Sequence, residues 1–402
     1  MSEWKTVRLG DLCDTISVTY KDAAEKVVLV NTSDVLEGKC LNHKFVDNKN
    51  LKGQFKKSFQ KDDILYSEIR PQNKRFAYID FEPKDYIAST KLMVLRSTEK
   101  VRSRYLYQLL KSESIINELQ ALAESRSGTF PQITYTELSL LEVCLPNLEE
   151  QDRIISVLQS LDDKIENNRK INENLEVQAQ ALFKSWFIDF EPFKDGKFID
   201  SELGRPIPEG WRVGRLEEIC EIVGGGTPSK SRLDYYSERA IAWLTPKDLS
   251  NHPTKFTSRG ENDITQIGYE NSSAKLMPKG SVLFSSRAPI GYITIAENDI
   301  CTNQGFKSAV PGIAGTSFLY CFLKHSVPEI ESKATGTTFK EASGSLMKSL
   351  PVIIPTDGIF HEFEKLLAPI FYAQQVKESE TKYLAKLRDT LLPKLMSGEI
   401  KV

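Results

Sequence analysis

Motifs that carry out enzyme chemistry are sparse in this sequence. Its four histidines, His43, His252, His325 and His361, lie far apart, and none stands at the spacing of a metal-ligating pair. The six cysteines include no C-x-x-C pair. A G-x-S-x-G nucleophile elbow and a G-x-x-x-x-G-K-[ST] phosphate loop are both absent. We therefore predict a chain with no catalytic residues, no metal site and no cofactor of its own.

Two patterns come closer to chemistry. Gly224-Gly-Gly226 follows an apolar run, but Ser229 stands where a dinucleotide-binding G-x-G-x-x-G motif needs its third glycine, so we interpret the segment as a tight loop. The paired carboxylates at 62–63 and 162–163 fall in a predicted turn and on a polar helix face, where solvated charge is the simpler account. The Asn-Pro-Pro-Tyr type of motif, with which amino-methyltransferases hold a flipped base, is absent too.

Arginine, lysine and amide side chains are instead concentrated in short loops that follow predicted strands. Arginine and lysine bond guanine and asparagine and glutamine bond adenine in the major groove, while small donors suit phosphate oxygens. Taken alone, each loop could also be an ordinary polar turn, but the loops occur at matched places in two halves of the chain, which favours DNA recognition. The candidate DNA-binding residues are Arg70, Gln72, Asn73, Lys74, Arg75, Arg126, Gln132, Lys230, Lys247, Arg287, Asn303, Gln304, Thr337 and Lys340.

The elements that must position these loops occur twice. Trp4 and Cys13 recur 207 positions later as Trp211 and Cys220, and the segment 61–67 returns as 279–285. We predict two similar α+β modules, 1–148 and 191–357, the second entered through an extended connector at 191–210 that is rich in proline and glycine. In the first module we expect strands at 27–30, 64–66, 76–79 and 92–95 and one helix over 104–122. In the second we expect strands at 241–244, 282–284 and 292–295 and a short helix near 317–325.

Each module is followed by a long segment with apolar residues at helical spacing, 149–190 and 358–402. About 40 helical residues make a rod near 60 Å long, which needs a partner surface for its apolar stripe. We expect the two helices to pack together as an antiparallel coiled coil with a pseudo-two-fold axis; the alternative is that each packs only on its own module. The two stripes, which align at an offset of 209, contain Ile154, Leu158, Leu161, Ile165, Ile171, Leu175 and Leu182 in the first and Phe360, Phe363, Leu367, Ile370, Leu384, Leu387, Leu391 and Leu395 in the second.

The composition is that of an ordinary globular chain. Its 402 residues carry a net charge of −2, which argues against a protein that coats nucleic acid without sequence preference. No apolar run reaches the roughly 20 residues of a membrane helix, and the N-terminus lacks the pattern of an export signal. We expect a cytoplasmic protein without membrane contact, in which Cys13, Cys144, Cys220 and Cys301 are small buried side chains.

The helices and their borders closely resemble those of the DNA-specificity subunit of type I restriction–modification systems. The segments 145–154, 161–165 and 181–190 look like the family's central conserved region, and Gly204-Arg-Pro-Ile-Pro-Glu-Gly-Trp211 looks like its entry to the second recognition domain. The segment 387–400 looks like its C-terminal conserved region. The resemblance covers the whole chain, although the second helix begins with Pro355-Thr-Asp-Gly instead of the Leu-Pro-x-Leu-Glu-Glu-Gln entry of the first.

The resemblance implies a non-catalytic protein that reads double-stranded DNA. Each module would be a target recognition domain for one half of a split, asymmetric site, and the paired helices would set the unread gap. The helices would also dock two modification subunits, which carry S-adenosylmethionine and methylate adenine, and restriction subunits would join a larger complex. The alternative is a scaffold subunit of a related complex that does not read DNA.

Overall fold

The computed structural model describes residues 4–22, 24–49, 53–126, 130–287, 289–336 and 340–402. Two compact units divide the chain. The first comprises Met1–Ile165 and Tyr383–Val402, and the second comprises Glu166–Lys382. Helix and strand are mixed in both units, so the predicted α+β class is confirmed. Within the described residues, no helix is long and apolar enough to span a membrane.

The first unit is built on two four-stranded sheets. One has the order β2-β11-β8-β9 and the other the order β6-β3-β10-β7, while β1 pairs with β12 beside them. The strands are β1 (Lys5–Arg8), β2 (Cys13–Ile16), β3 (Lys26–Val30), β4 (Val35–Leu36), β5 (Lys39–Cys40), β6 (Phe45–Asp47), β7 (Phe55–Lys57), β8 (Ile64–Ser67), β9 (Phe76–Tyr78), β10 (Tyr86–Ser89), β11 (Leu92–Ser97) and β12 (Glu142–Leu145). The helices are α1 (Ser103–Leu110), α2 (Glu113–Arg126), α3 (Tyr135–Leu140) and the start of the long α4 (Leu148–Phe187).

The sheet that contains β11 is buried on both faces, and its sequence explains why. Successive side chains of a strand point to opposite faces, so a continuous apolar run fits a strand with a core on each side. Met93 and Leu95 face the core that also contains the helices, while Leu92 and Val94 face a second core shared with β3 and β10.

The second unit contains a five-stranded sheet of order β16-β24-β21-β22-β19 and the pair β15-β25. Its strands are β13 (Phe198–Ile199), β14 (Ile207–Pro208), β15 (Arg212–Arg215), β16 (Cys220–Gly224), β17 (Tyr236–Ser237), β18 (Trp243–Leu244), β19 (Phe256–Thr257), β20 (Asp263–Ile264), β21 (Val282–Ser286), β22 (Ile290–Ala296), β23 (Cys301–Thr302), β24 (Lys307–Pro311) and β25 (Pro351–Ile354). Its helices are α5 (Pro246–Asn251), α6 (Gln266–Glu270), α7 (Thr316–Lys333), α8 (Gly344–Lys348) and the long α9 (Ile359–Met396), whose last residues belong to the first unit.

The two modules share one frame, as the sequence repeat predicts. In the first module β1 pairs antiparallel with β12, and in the second β15, the first strand after the connector, pairs antiparallel with β25. A short 3-10 turn follows the first strand in both, and the thiols of Cys13 and Cys220 donate to the carbonyl oxygens of Leu9 and Leu216 at 3.5 and 3.4 Å. The same local contacts therefore recur in both copies.

Three predicted elements differ from the structure. The single helix expected over 104–122 is two helices, because Ser112 ends one and starts the next: its hydroxyl donates to Leu109 O at 2.7 Å, and its carbonyl accepts the Ile116 N–H at 3.0 Å. In the second module α7 continues to Lys333, well past the predicted end. The connector is folded, not extended, since β13 and β14 form a hairpin and Ile207 is buried in the core.

Two predictions of exposure or burial were wrong. Asp63, expected to be solvated, is 1% exposed and binds Arg96 through two hydrogen bonds of 2.8 and 2.9 Å, which compensate its burial. Cys144 is exposed, because β12 turns it to the solvent side, whereas Cys13, Cys220 and Cys301 are buried as predicted.

The long helices α4 and α9 run antiparallel within each unit. In the first unit, Ile154 and Leu158 share a core with Leu395, and Asp162 forms an ion pair with Arg388 at 2.8 Å. In the second unit the contacts of α4 with α9 follow the same direction, and the bulky apolar ones are concentrated near one end. They join Asn168 with Glu380, Asn172 with Gln374, Phe183 with Phe363 and Phe187 with Phe360.

In the second unit, the contact between α4 and α9 around Asn168 and Gln374 is more polar than the predicted apolar stripe. Asn168 is fully buried and Gln374 is 2% exposed, while Ile171 and Leu175 are only half-buried. Side-chain amides, not aliphatic contacts, therefore specify the pairing there.

Candidate nucleic-acid interface

Two loops predicted to recognise DNA lie side by side in the first unit. The segment 70–75 connects β8 to β9, and residues 130–132, the described end of the 126–132 loop, come after α2. Arg70 N–H donates to Pro131 O at 3.2 Å, Ile133 N–H donates to Glu68 O at 2.8 Å, and Ile69 pairs with Gln132 in an antiparallel bridge. The backbone thus fixes both loops at one end of the sheet.

The side chains of the 70–75 loop divide into two groups. Arg70, Gln72 and Asn73 are exposed. Lys74 instead forms an ion pair with Glu113 at 2.5 Å, and this hydrogen bond raises the pKa of Lys74. Arg75 donates to the carbonyl oxygens of Ser33 and Val35 at 3.1 and 3.4 Å. The last two side chains therefore hold the loop, and the first three face solvent.

Two further candidates complete this cluster. Gln132 is half-buried and accepts a hydrogen bond of 3.3 Å from Lys91 Nζ. Arg126 is the last residue of α2, and its side chain lies outside the described part of the structure.

The second unit repeats this arrangement with different residues. Arg287 pairs with Glu341 in an antiparallel bridge, and Ala342 N–H donates to Ser286 O at 2.9 Å. The Glu341 carboxylate also lies 3.5 Å from the Arg287 guanidinium and 3.3 Å from Lys307 Nζ. Arg287 is half-buried, so it contributes both to holding the loop and to its surface charge.

A glycine loop lies beside this cluster, as the tight-loop interpretation predicts. Gly226 N–H donates to Thr302 O at 2.8 Å, and the indole N–H of Trp243 donates to Gly226 O at 3.0 Å. A Cβ atom at Gly225 would overlap the carbonyl oxygens of Asn303 and Thr302. Only glycine can bring the chain this close to the 302–305 turn.

The 302–305 turn carries two side-chain amides, one that is exposed and one that holds the turn in shape. Asn303 is half-buried, and its side-chain oxygen accepts the Gly305 N–H at 2.8 Å, which shapes the turn. Gln304 is exposed at the tip and accepts a hydrogen bond from the hydroxyl of Thr227. Gln304 is therefore the better placed of the two to contact a base edge.

The remaining candidates carry charge at the surface. Lys230 is exposed, Lys247 is exposed with its ammonium 3.9 Å from Glu261, and Lys340 is exposed with its ammonium 3.4 Å from Glu331 O. Thr337 lies outside the described residues.

The sequence reasoning missed three members of this surface, namely Thr227, Lys307 and Glu341. Thr227 directly follows the glycine loop, which was interpreted as structural only. Glu341 stands 209 positions after Gln132, so the offset of the long helices could have identified it.

The described residues offer little for catalysis. They include no group of three histidine, cysteine, aspartate or glutamate side chains that could hold a metal ion. Burial raises the pKa of the Cys220 and Cys301 thiols to about 12, so neither is a thiolate nucleophile at neutral pH.

The chain thus combines a duplicated α+β frame, loops with amide and arginine side chains at matched positions, and two long helices. Among known families, the type I restriction modification DNA specificity domain matches residues 1–177 and 208–375. The chain belongs to this family.

Individual relatives match most of the chain. The HindI type I restriction enzyme specificity subunit of Haemophilus influenzae is 32% identical, over 100% of both chains. The MjaIX specificity subunit of Methanocaldococcus jannaschii is 30% identical over 75% of this chain and 70% of the relative. The solved S subunit of a type I restriction–modification system from M. genitalium shares the fold, with a TM-score of 0.58, 17% identity, and coverage of 98% and 96% of the two chains. The present chain is thus a specificity subunit, which recognises DNA and is not itself an enzyme.

Proposed function

We propose that this chain reads an asymmetric, bipartite DNA site, with one recognition domain for each half-site. The first domain is 1–148, and the second is 191–357 with its entry connector. The observation that carries this proposal is the shared anchoring of the loops: Ile69 with Gln132 in one unit, and Arg287 with Glu341 in the other. The loops are anchored at equivalent positions in the two units but carry different residues. This arrangement suits two recognition domains that prefer different base sequences.

The proposed contacts follow from exposure. Arg70, Gln72 and Asn73 in the first domain and Gln304 in the second would contact base edges in the major groove. Lys230, Lys247 and Lys340 would contact phosphates, which supply affinity without sequence preference. Lys74, Arg75, Gln132, Arg287 and Asn303 would hold the loops, with Arg287 adding charge. Arg126 and Thr337 remain candidate DNA-binding residues because of their positions in the sequence alone.

The long helices would set the gap between the half-sites. Glu149 and Glu150 make the first turn of α4 acidic, which disfavours contact with DNA. In the described part of α4 and α9, Val177 and Tyr372 are 68% and 69% exposed, so apolar surface is present for protein partners. The proposed partners are two modification subunits, which methylate adenine, and restriction subunits in a larger complex.

A methylation map tests the proposal directly. The chain would be co-expressed with the modification subunit of its own system, and N6-methyladenine would be mapped across a plasmid. The expected result is one methylated sequence with two different half-sites and a fixed gap. Assembly with the modification subunit but no sequence-dependent methylation would instead favour the second candidate, a scaffold that does not read DNA.

A further inference from the structure

One cation of the second recognition domain is buried against both long helices. Lys255 is 8% exposed, and its ammonium lies 2.8 Å from the Glu176 carboxylate on α4 and 2.6 Å from Gln374 Oε1 on α9. The same ammonium lies 3.5 Å from the ring centre of Phe371, also on α9, and 4.2 Å from that of Tyr320 on α7. A single side chain of the domain therefore bonds to both helices.

The backbone at Lys255 is also bonded to α9. The N–H groups of Lys255 and Phe256 donate to the two oxygens of Glu378 on α9, at 2.8 and 3.2 Å. Lys255 O accepts the Ile295 N–H at 2.8 Å, which ties this position to β22. The edge of the five-stranded sheet is thus attached to α9 through both the side chain and the main chain of one residue.

The side-chain amides next to Lys255 restrict how α4 and α9 can pair. Gln374 Nε2 donates to Asn172 O, and Asn172 Nδ2 donates to Gln374 O, both at 3.2 Å. Glu176 also binds Lys324 on α7 at 2.8 Å. A slip of one helix along the other would leave these buried polar groups without partners, which is costly.

The first unit attaches its module differently. There the ion pair between the module and α4 joins Arg102 to Asp152, whose side chains are 50% and 52% exposed. The buried polar contact is made by an uncharged side chain instead, since Gln151 Oε1 accepts the Arg102 N–H at 2.9 Å. Exposed pairs restrain geometry weakly, whereas buried polar contacts can specify one arrangement even when they add little to stability. The contact at Lys255 is therefore suited to hold the second domain at one angle to the helices.

We propose that Lys255 is a positioning residue that fixes the second recognition domain on the helix pair and thereby fixes the length of the gap between the half-sites. This inference rests on the proposed function, because the gap has a meaning only if the two domains read one split site. Lys255 itself would not touch DNA.

The test compares three gap lengths. Complexes of the full chain with its modification subunit would methylate DNA with the native gap and with gaps one base pair shorter and longer. The variants are Lys255→Met, the double variant with Glu176→Met, which removes the carboxylate with the cation, and Lys279→Met as an exposed control. We expect the preference for the native gap to fall at least tenfold in both Lys255 variants, with binding to the isolated second half-site within twofold of wild type.

Several outcomes would overturn the inference. An unchanged gap preference would do so, as would an equal loss of methylation at all three gaps, which marks a residue needed only for folding. Failure of both Lys255 variants to form a folded complex would lead to the same conclusion. A wild-type complex that methylates no bipartite site would instead refute the proposed function itself.

Discussion

The guanidinium of Arg388, near the end of α9, lies 2.8 Å from the carboxylate of Asp162 on α4. The two residues are 226 positions apart in the sequence, yet both belong to the first unit, and their side chains are about one-third exposed. This pair joins the two long helices within the first unit. It shows that antiparallel pairing of the helices is specified by charge as well as by apolar contact.

Arg388→Met should lower the free energy of unfolding by at most about 1 kcal/mol, the upper end of what a partly exposed ion pair contributes. The measurement is chemical denaturation of the purified chain. The matched control is Lys386→Met, an exposed residue two positions away, which should stay within about 0.5 kcal/mol of wild type. Equal effects of the two substitutions would contradict a role for the Asp162 pair.

The Glu176 carboxylate should make stability depend on pH in the acid range. Burial alone would raise its pKa, but Lys255 and Lys324 outweigh burial and lower the pKa to about 2, from an ordinary value of 4.5. The folded state therefore holds this proton less tightly than the unfolded state. Its stabilising effect should be complete above about pH 4.5 and should disappear as the pH falls toward 2.

Denaturation of wild type and Glu176→Gln across that range measures this effect. At pH 7 the variant should be less stable by ~3 kcal/mol, because it leaves buried Lys255 without its carboxylate. The difference should shrink below pH 4.5. Glu202→Gln, at an exposed site, should differ little from wild type at any pH. A Glu176→Gln difference that stays constant down to pH 2 would be the contrary result.

Adjacent glycines allow a matched test of the loop in the second domain. Gly225→Ala should weaken DNA binding at least tenfold, about 1.4 kcal/mol, because its Cβ would displace the 302–305 turn and move Gln304. Gly224→Ala should have little effect, since nothing lies within 4 Å of the Cβ position there. DNA affinity of the complex with the modification subunit, checked against thermal melting, distinguishes them. Similar losses for both would show that the loop does not position the DNA-contacting turn.

Gln304 and Lys230 should affect binding in different ways. Gln304→Ala should relax the base preference at one position of the second half-site by about 1–3 kcal/mol, since a base-edge contact is lost. Lys230→Ala should weaken all sequences alike and reduce the slope of log affinity against log salt by about 1, the effect of one lost phosphate contact. Affinities for single-base variants of the site, at several salt concentrations, separate the two. A uniform loss from Gln304→Ala would remove it from the base-reading residues.

The duplicated modules and long helices could be predicted from the sequence more completely than individual side-chain contacts could. The repeat and the apolar periods were sufficient for two α+β modules and two long helices, because these features follow from local spacing. The break at Ser112 was missed, since the apolar spacing continues across it and only one hydroxyl and one carbonyl mark the end. The buried Asp63 was missed because its partner Arg96 is 33 positions away.

For the candidate interface, the sequence indicated which loops to consider but not the contacts that their side chains make. Sequence alone identified the loops that carry Arg70 and Gln304, and the structure finds both side chains exposed. It could not show that Lys74 and Arg75 bind Glu113 and the backbone of Ser33, because those contacts depend on the folded path of the chain. Lys255 was not identified from the sequence, since nothing in its neighbourhood there indicates burial.

The central claim is that each recognition domain reads its own half-site. The most direct test replaces residues 1–148 with the corresponding module of another specificity subunit and maps N6-methyladenine in cells that also express the modification subunit. We predict that one half-site changes, while the other half-site and the gap stay the same. A change in both half-sites, or in neither, would contradict the claim.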